Sequence, residues 1–166
     1  MRKIVLHSAL VIGAIILAVA GGIFALLNWP ELLVHHHISE GRLQLWSDRP
    51  FMIASGREVL RDVAQRLKKS PLSAGDRVRR IFVVNSEWRR RLLFLHRVNV
   101  GGLNYFPLTS NIFVRSAEIE TGRVIGPAGE YAKPPRTLAY YAAHEIAHGL
   151  IGEKIGIWRQ IGRAHV

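Results

Sequence analysis

After Met1, Arg2 and Lys3 the chain runs apolar from position 4 to 27, interrupted only by His7, Ser8 and small residues. A helix needs about 20 apolar residues to cross a bilayer core, so this run spans one with some tilt. Apolar character continuing through Ile23, Phe24, Leu26 and Leu27 favours an uncleaved anchor over a signal peptide cut after Ala18-Val19-Ala20. Arg2 and Lys3 in front, with no dense basic cluster behind, predict a single pass, N-terminus inside and the remainder outside the cytoplasm. Trp29 fits an interfacial aromatic.

Beyond the anchor the pattern alternates between short and long periods. Residues 43–46 read as a short strand closed by Ser47-Asp48-Arg49-Pro50. Residues 55–69 read as an amphipathic helix with Val59, Leu60, Val63 and Leu67 on one side, ended at Ser70-Pro71. The β-branched and aromatic run 81–84 predicts a central strand. Residues 86–96 fit a second helix, or a strand in their latter half. Gly101-Gly102 marks a turn. Residues 111–119, with Ile112 and Val114 between polar partners, predict an edge strand, and Thr121-Gly122 a hairpin into 123–125. Pro134-Pro135 stops that element, Thr137 offers an N-cap, and Ala139, Ala143, Ile146 and Leu150 recur at helical spacing. Glu153 and Lys154 break the run, and Gly156 can cap it. The fold class expected is α+β, a mixed sheet with an edge strand and a motif-bearing helix. The organisation expected is an anchor over 1–29, a juxtamembrane segment over 30–50 and one domain over 51–160.

The absence of cysteine excludes disulfides and a thiolate zinc site. The formal net charge of +11 gathers on Arg77, Arg79, Arg80, Arg89, Arg90, Arg91 and Arg97. No nucleic-acid module accompanies it, so no nucleic-acid partner is expected. A solvated basic face is the plain reading, and contact with anionic lipid headgroups or acidic envelope polymer is the functional alternative. His35-His36-His37 reads as a solvated juxtamembrane stretch, since adjacent residues share no helix face.

The predicted last helix contains His144-Glu145-Ile146-Ala147-His148, an H-E-x-x-H pattern. Positions i and i+4 lie on one face, so His144 and His148 can aim two imidazoles at one Zn²⁺, with Glu145 beside them as general base. A core helix with two incidental histidines is the bland alternative. Burying two imidazoles and a carboxylate without a partner is costly, which favours zinc. Tyr140 and Tyr141, one turn earlier, line a substrate groove or simply pack.

On this motif the stretch from about 111 to 156 resembles the gluzincin group of zinc metallopeptidases. The metzincin variant would need Gly at 151 and His at 154, where Ile151 and Lys154 stand. The resemblance implies a zincin-like subdomain and peptide-bond hydrolysis, with a third zinc ligand, a glutamate, a couple of dozen residues beyond the motif. It also implies that Asn111 and Ile112, at the start of the edge strand, hold an extended peptide by backbone pairing. Residues 161–166 are what the codons ATC GGA AGA GCA CAC GTC encode, the start of a widely used sequencing adapter. A non-native tail and a C-terminally truncated, inactive chain are therefore expected, and His165 is not counted as a ligand. Three other functions stay open: a non-catalytic envelope-binding domain on a degenerate zincin fold, an intramembrane zinc protease, for which residues 138–151 are short, and a membrane-anchored nucleic-acid binder, which would show salt-sensitive DNA affinity without any need for the metal.

Overall fold

The computed structural model describes residues 2–72 and 77–155; the expected cap at Gly156 and the tail over 161–166 lie outside them. Four helices and a mixed sheet make an α+β fold. Helix α1 (Arg2–Asn28) is followed by β1 (His36–Glu40), β2 (Leu43–Ser47), α2 (Ile53–Lys68), β3 (Arg79–Val84), α3 (Glu87–Phe94), β4 (Gly102–Asn104) and β5 (Ile112–Arg115). A small hairpin, β6 (Ala117–Glu118) and β7 (Arg123–Val124), precedes α4 (Leu138–Ile155).

The five-stranded sheet has the order β1-β2-β3-β5-β4. Its three inner strands are parallel, and β1 and β4 run antiparallel at the two edges. Strand β3 is central, and Ile81, Phe82, Val83 and Val84 are all buried because both sheet faces are covered. On one face Leu45, Ile81, Val83, Ile112 and Val114 meet α2 and α4. On the other, Phe82, Val84, Phe113 and Leu103 meet α3 and the end of α1. Helix α2 buries the predicted Val59, Leu60, Val63 and Leu67.

Two expectations about the sheet are corrected. Strand β5 was expected at an edge, but it lies between β3 and β4. Phe113 is apolar and fully buried, so the run Ile112-Phe113-Val114 has two dry faces and does not alternate. Residues 30–50, expected as a separate segment, hold two of the five strands. Leu43 and Leu45 enter the core, and His37 stacks on Trp46 with ring centroids 4.2 Å apart. That stack continues in register through Phe82 and Phe113 at 5.7 Å steps, a row crossing four strands.

Helix α1 contains one segment, Leu10–Asn28, long and apolar enough to cross a membrane, with a mean hydropathy of 2.8. Its last turn is fastened to the sheet domain. Leu27 is buried, the Asn111 Nδ2 donates to the Leu27 carbonyl at 2.7 Å, and the Arg80 Nη2 donates to the Asn28 carbonyl at 3.1 Å. Carbonyls that a helix C-terminus leaves unpaired are thus satisfied by the domain.

The arginines read as a basic stripe are mostly committed to local carboxylates. Arg77 and Arg79 meet Glu153, Arg80 meets Glu31, Arg89 meets Asp48, and Arg90 and Arg91 meet Glu87.

Candidate metal centre

Helix α4 starts as its sequence predicts, with the Thr137 Oγ1 accepting the Tyr140 N–H at 3.2 Å. Leu138, Ala139, Ala142, Ala143, Ile146 and Leu150 are buried against the sheet. The small alanines bring the helix close to the strands. The opposite face leaves His144 and His148 exposed, with their Nε2 atoms 3.1 Å apart and their rings nearly perpendicular. Zinc bound tetrahedrally at about 2.0–2.1 Å would hold two imidazole nitrogens about 3.3 Å apart, so the pair fits that ion closely. Burial, then the neighbouring His148, holds the His144 imidazole below its usual pKa. Its neutral, ligating form is thereby favoured. The Tyr140 ring lies nearly parallel to that of His144, with centroids 5.9 Å apart.

Glu145 lies beside the pair, in the seam between α4 and β4. A Cβ built on Gly102 would come within 2.8 Å of the Glu145 Cγ, so any larger residue there forces the side chain or the strand to shift. One turn earlier Gly101 likewise admits the Tyr141 ring, whose Cε1 would be 2.4 Å from a Cβ. Further along, Asn104 lies over Gly149, and its Nδ2 donates to the Glu145 backbone carbonyl at 3.4 Å. Burial pushes the Glu145 carboxyl above the usual carboxylate range, against a smaller opposing pull from His148. Its carboxylate makes no hydrogen bond to another described residue. A half-desolvated, unpartnered carboxylate is a stronger proton acceptor than an exposed one.

Glu145 and His148 open onto a cleft of about 350 Å³ whose other walls include Arg97, Val100, Gly102 and Asn104. The structure therefore brings together His144, Glu145, His148, Tyr140 and Tyr141. It does not bring Asn111 or Ile112 to them. Asn111 is fully buried and bonded to the end of α1, and Ile112 is a core residue, so neither can hold substrate. The edge that borders the motif is β4 instead. Gly102 and Asn104 were missed because a paired glycine reads as a turn, although it also signals close approach of two backbones. Among the described residues no group of three His, Asp or Glu side chains is placed to share a metal ion. Glu153, the next acid on α4, is bound by both terminal nitrogens of Arg79 at 2.9 Å. No protein-family model, curated protein or solved structure matches this chain.

Proposed function

We propose that this chain belongs to a zinc-dependent peptide hydrolase held at a membrane by α1. The observation that carries the proposal is the convergence of the His144 and His148 Nε2 atoms at 3.1 Å, with Glu145 desolvated between α4 and an edge strand. His144 and His148 would hold the ion, and the gluzincin resemblance places a third, glutamate ligand in sequence beyond the described residues. Zinc in such a site supplies a Lewis acid for the scissile carbonyl and acidifies its water to a pKa of about 7.

The chain's own groups do the rest. Glu145, with its carboxyl raised by burial, accepts a proton from the attacking water and returns it to the leaving amine. Tyr140 flanks the His144 ring. The free edge of β4 offers backbone N–H and C=O groups on which an extended peptide can pair, beside the cleft. An intramembrane site is disfavoured because α4 spends its apolar face on the sheet. With Arg2 and Lys3 at the start of α1, the domain is assigned to the extracytoplasmic side.

The test is peptide cleavage by the full-length, detergent-solubilised protein. The proposal expects cleavage that stops in Glu145→Gln while the fold persists. Cleavage undiminished by that substitution would remove the proposed base from the mechanism. A protein that binds zinc and cleaves no peptide would leave a binding domain on the same scaffold.

A further inference from the structure

A concavity of about 750 Å³ lies on the other side of Tyr141 from the cleft. Its floor is Arg115, the last residue of β5, which is 2% exposed. The Arg115 Nη1 donates to the Asn99 carbonyl at 3.2 Å, and its Nε has no partner. No carboxylate among the described residues lies within ion-pair distance of it. A guanidinium enclosed in protein without an anion is costly, so this one stands ready for a negatively charged guest.

The rim adds to the same field. Lys133 and Arg136 line the opening, are exposed, and have no carboxylate partner among the described residues. Glu130 is the one acid on the wall, and its Oε2 is already engaged by the Ala128 N–H at 2.9 Å. Three cations against the one Glu130 carboxylate, which keeps its charge, leave the pocket net positive. Burial, then the nearby Arg90, presses the Arg115 pKa down, against smaller opposing pulls from Glu130 and Glu87, neither of which is close enough for an ion pair.

The pocket and the motif cleft are consecutive along one seam. Gly101 lines the pocket and Gly102 the cleft, and the Arg115 N–H donates to the Gly101 carbonyl. Tyr141 lines the pocket and stands one helical turn, about 6 Å, ahead of Glu145 on α4. An extended peptide advances about 3.3 Å per residue, so a chain lying along β4 reaches the pocket within one or two residues of Glu145. We propose that the Arg115 pocket is an anion subsite that takes a carboxylate of the substrate peptide one or two residues from the cleaved bond.

The assignment of the guest as substrate rests on the peptidase reading, whereas the affinity for a carboxylate does not. Two sources share this chemistry, the peptide's C-terminal α-carboxylate and an Asp or Glu side chain. The experiment is isothermal titration calorimetry on the full-length Glu145→Gln protein, which cannot turn the peptides over. The probes are acetyl-Ala-Ala-Ala with a free C-terminus, its C-terminal amide, and acetyl-Ala-Glu-Ala-amide. At least one carboxylate peptide is expected to bind about tenfold tighter than the neutral amide, the worth of one charge-assisted hydrogen bond. A preference for the free C-terminus alone identifies the α-carboxylate, and recovery by the glutamyl amide identifies a side chain. The preference should collapse in Lys133→Ala/Arg136→Gln, two exposed changes that spare the core, and weaken in Arg115→Lys, which keeps the charge but loses the fork. Equal affinity for all three peptides, or a preference untouched by these variants, overturns the proposal. Wild-type protein that cleaves nothing yet keeps the calorimetric preference would sink the peptidase reading and leave the anion subsite standing.

Discussion

Replacing Gly102 by alanine tests whether β4 and Glu145 form one site. The added Cβ would stand 2.8 Å from the Glu145 Cγ, 3.1 Å from Oε1 and 3.3 Å from Cδ. Carbon atoms attract best at about 3.5–4.0 Å, so the nearest contact is roughly 0.7 Å too short. Two responses are open to the protein. If the helix and strand separate, the overpacked seam costs about 1–3 kcal/mol. If Glu145 rotates away, the cost is an off-rotamer side chain at about 0.5–1.5 kcal/mol, but the proton acceptor moves by about 1 Å. A displacement of that size removes about a hundredfold in rate. Either way Gly102→Ala should lower peptide hydrolysis far more than it lowers stability. The comparison is Gly122→Ala, where φ is +65° and a Cβ meets nothing within 4 Å. That change strains the β6–β7 turn by about 1 kcal/mol and should leave the rate per folded molecule unchanged. Thermal melting and a fluorogenic peptide assay on the full-length protein read both quantities. A Gly102→Ala protein with the wild-type rate and melting temperature would refute the placement of Glu145 against β4.

Asn111→Ala removes the bond to the Leu27 carbonyl and leaves that carbonyl buried and unpaired, so denaturation should show a loss of about 1–3 kcal/mol without any change in KM. A raised KM with intact stability would instead restore Asn111 as a substrate residue. Glu153→Gln breaks the bidentate pair with buried Arg79 and should cost about 2 kcal/mol at pH 7. Arg79 holds the Glu153 carboxyl below its ordinary range, so the pair's contribution is complete above the unfolded pKa of about 4.3 and is lost as pH falls through the lower, folded value. Wild type and variant should therefore converge in acid, and a difference that persists unchanged at pH 2 would show the pair is not responsible. Tyr140→Ala should leave the melting temperature nearly unchanged and weaken zinc affinity severalfold in a competition titration, because the His144 ring loses its neighbouring ring.

Elements governed by local signals were legible in the sequence. Thr137 caps α4, the spacing of Val59, Leu60, Val63 and Leu67 sets the buried face of α2, and 81–84 is the central strand. The two histidines of the motif meet because helical geometry alone brings i and i+4 together. What failed depends on which strands become neighbours. Ile112 and Val114 look half-buried until Phe113 is seen to be covered by α3 and α1. His36 and His37 are exposed, as the sequence predicts, but nothing nearby announces that they open an edge strand with Trp46 lying across from His37. Arg115 passes for the polar partner in an alternating strand, yet its burial follows from Asn99 and Tyr141, which come to it from other elements. Gly101-Gly102 reads as a turn, the commoner meaning of a glycine pair. Its role comes from a helix that starts 36 residues later, counting from Gly102 to Leu138.

The central claim is that His144 and His148 hold zinc. The direct measurement is the metal content of full-length protein purified without added metal, by inductively coupled plasma mass spectrometry, compared with His144→Ala/His148→Ala. The site as described predicts about one zinc per wild-type chain and almost none in the double variant, with both keeping the same circular dichroism. Zinc absent from the wild type, or retained equally by the variant, would contradict it.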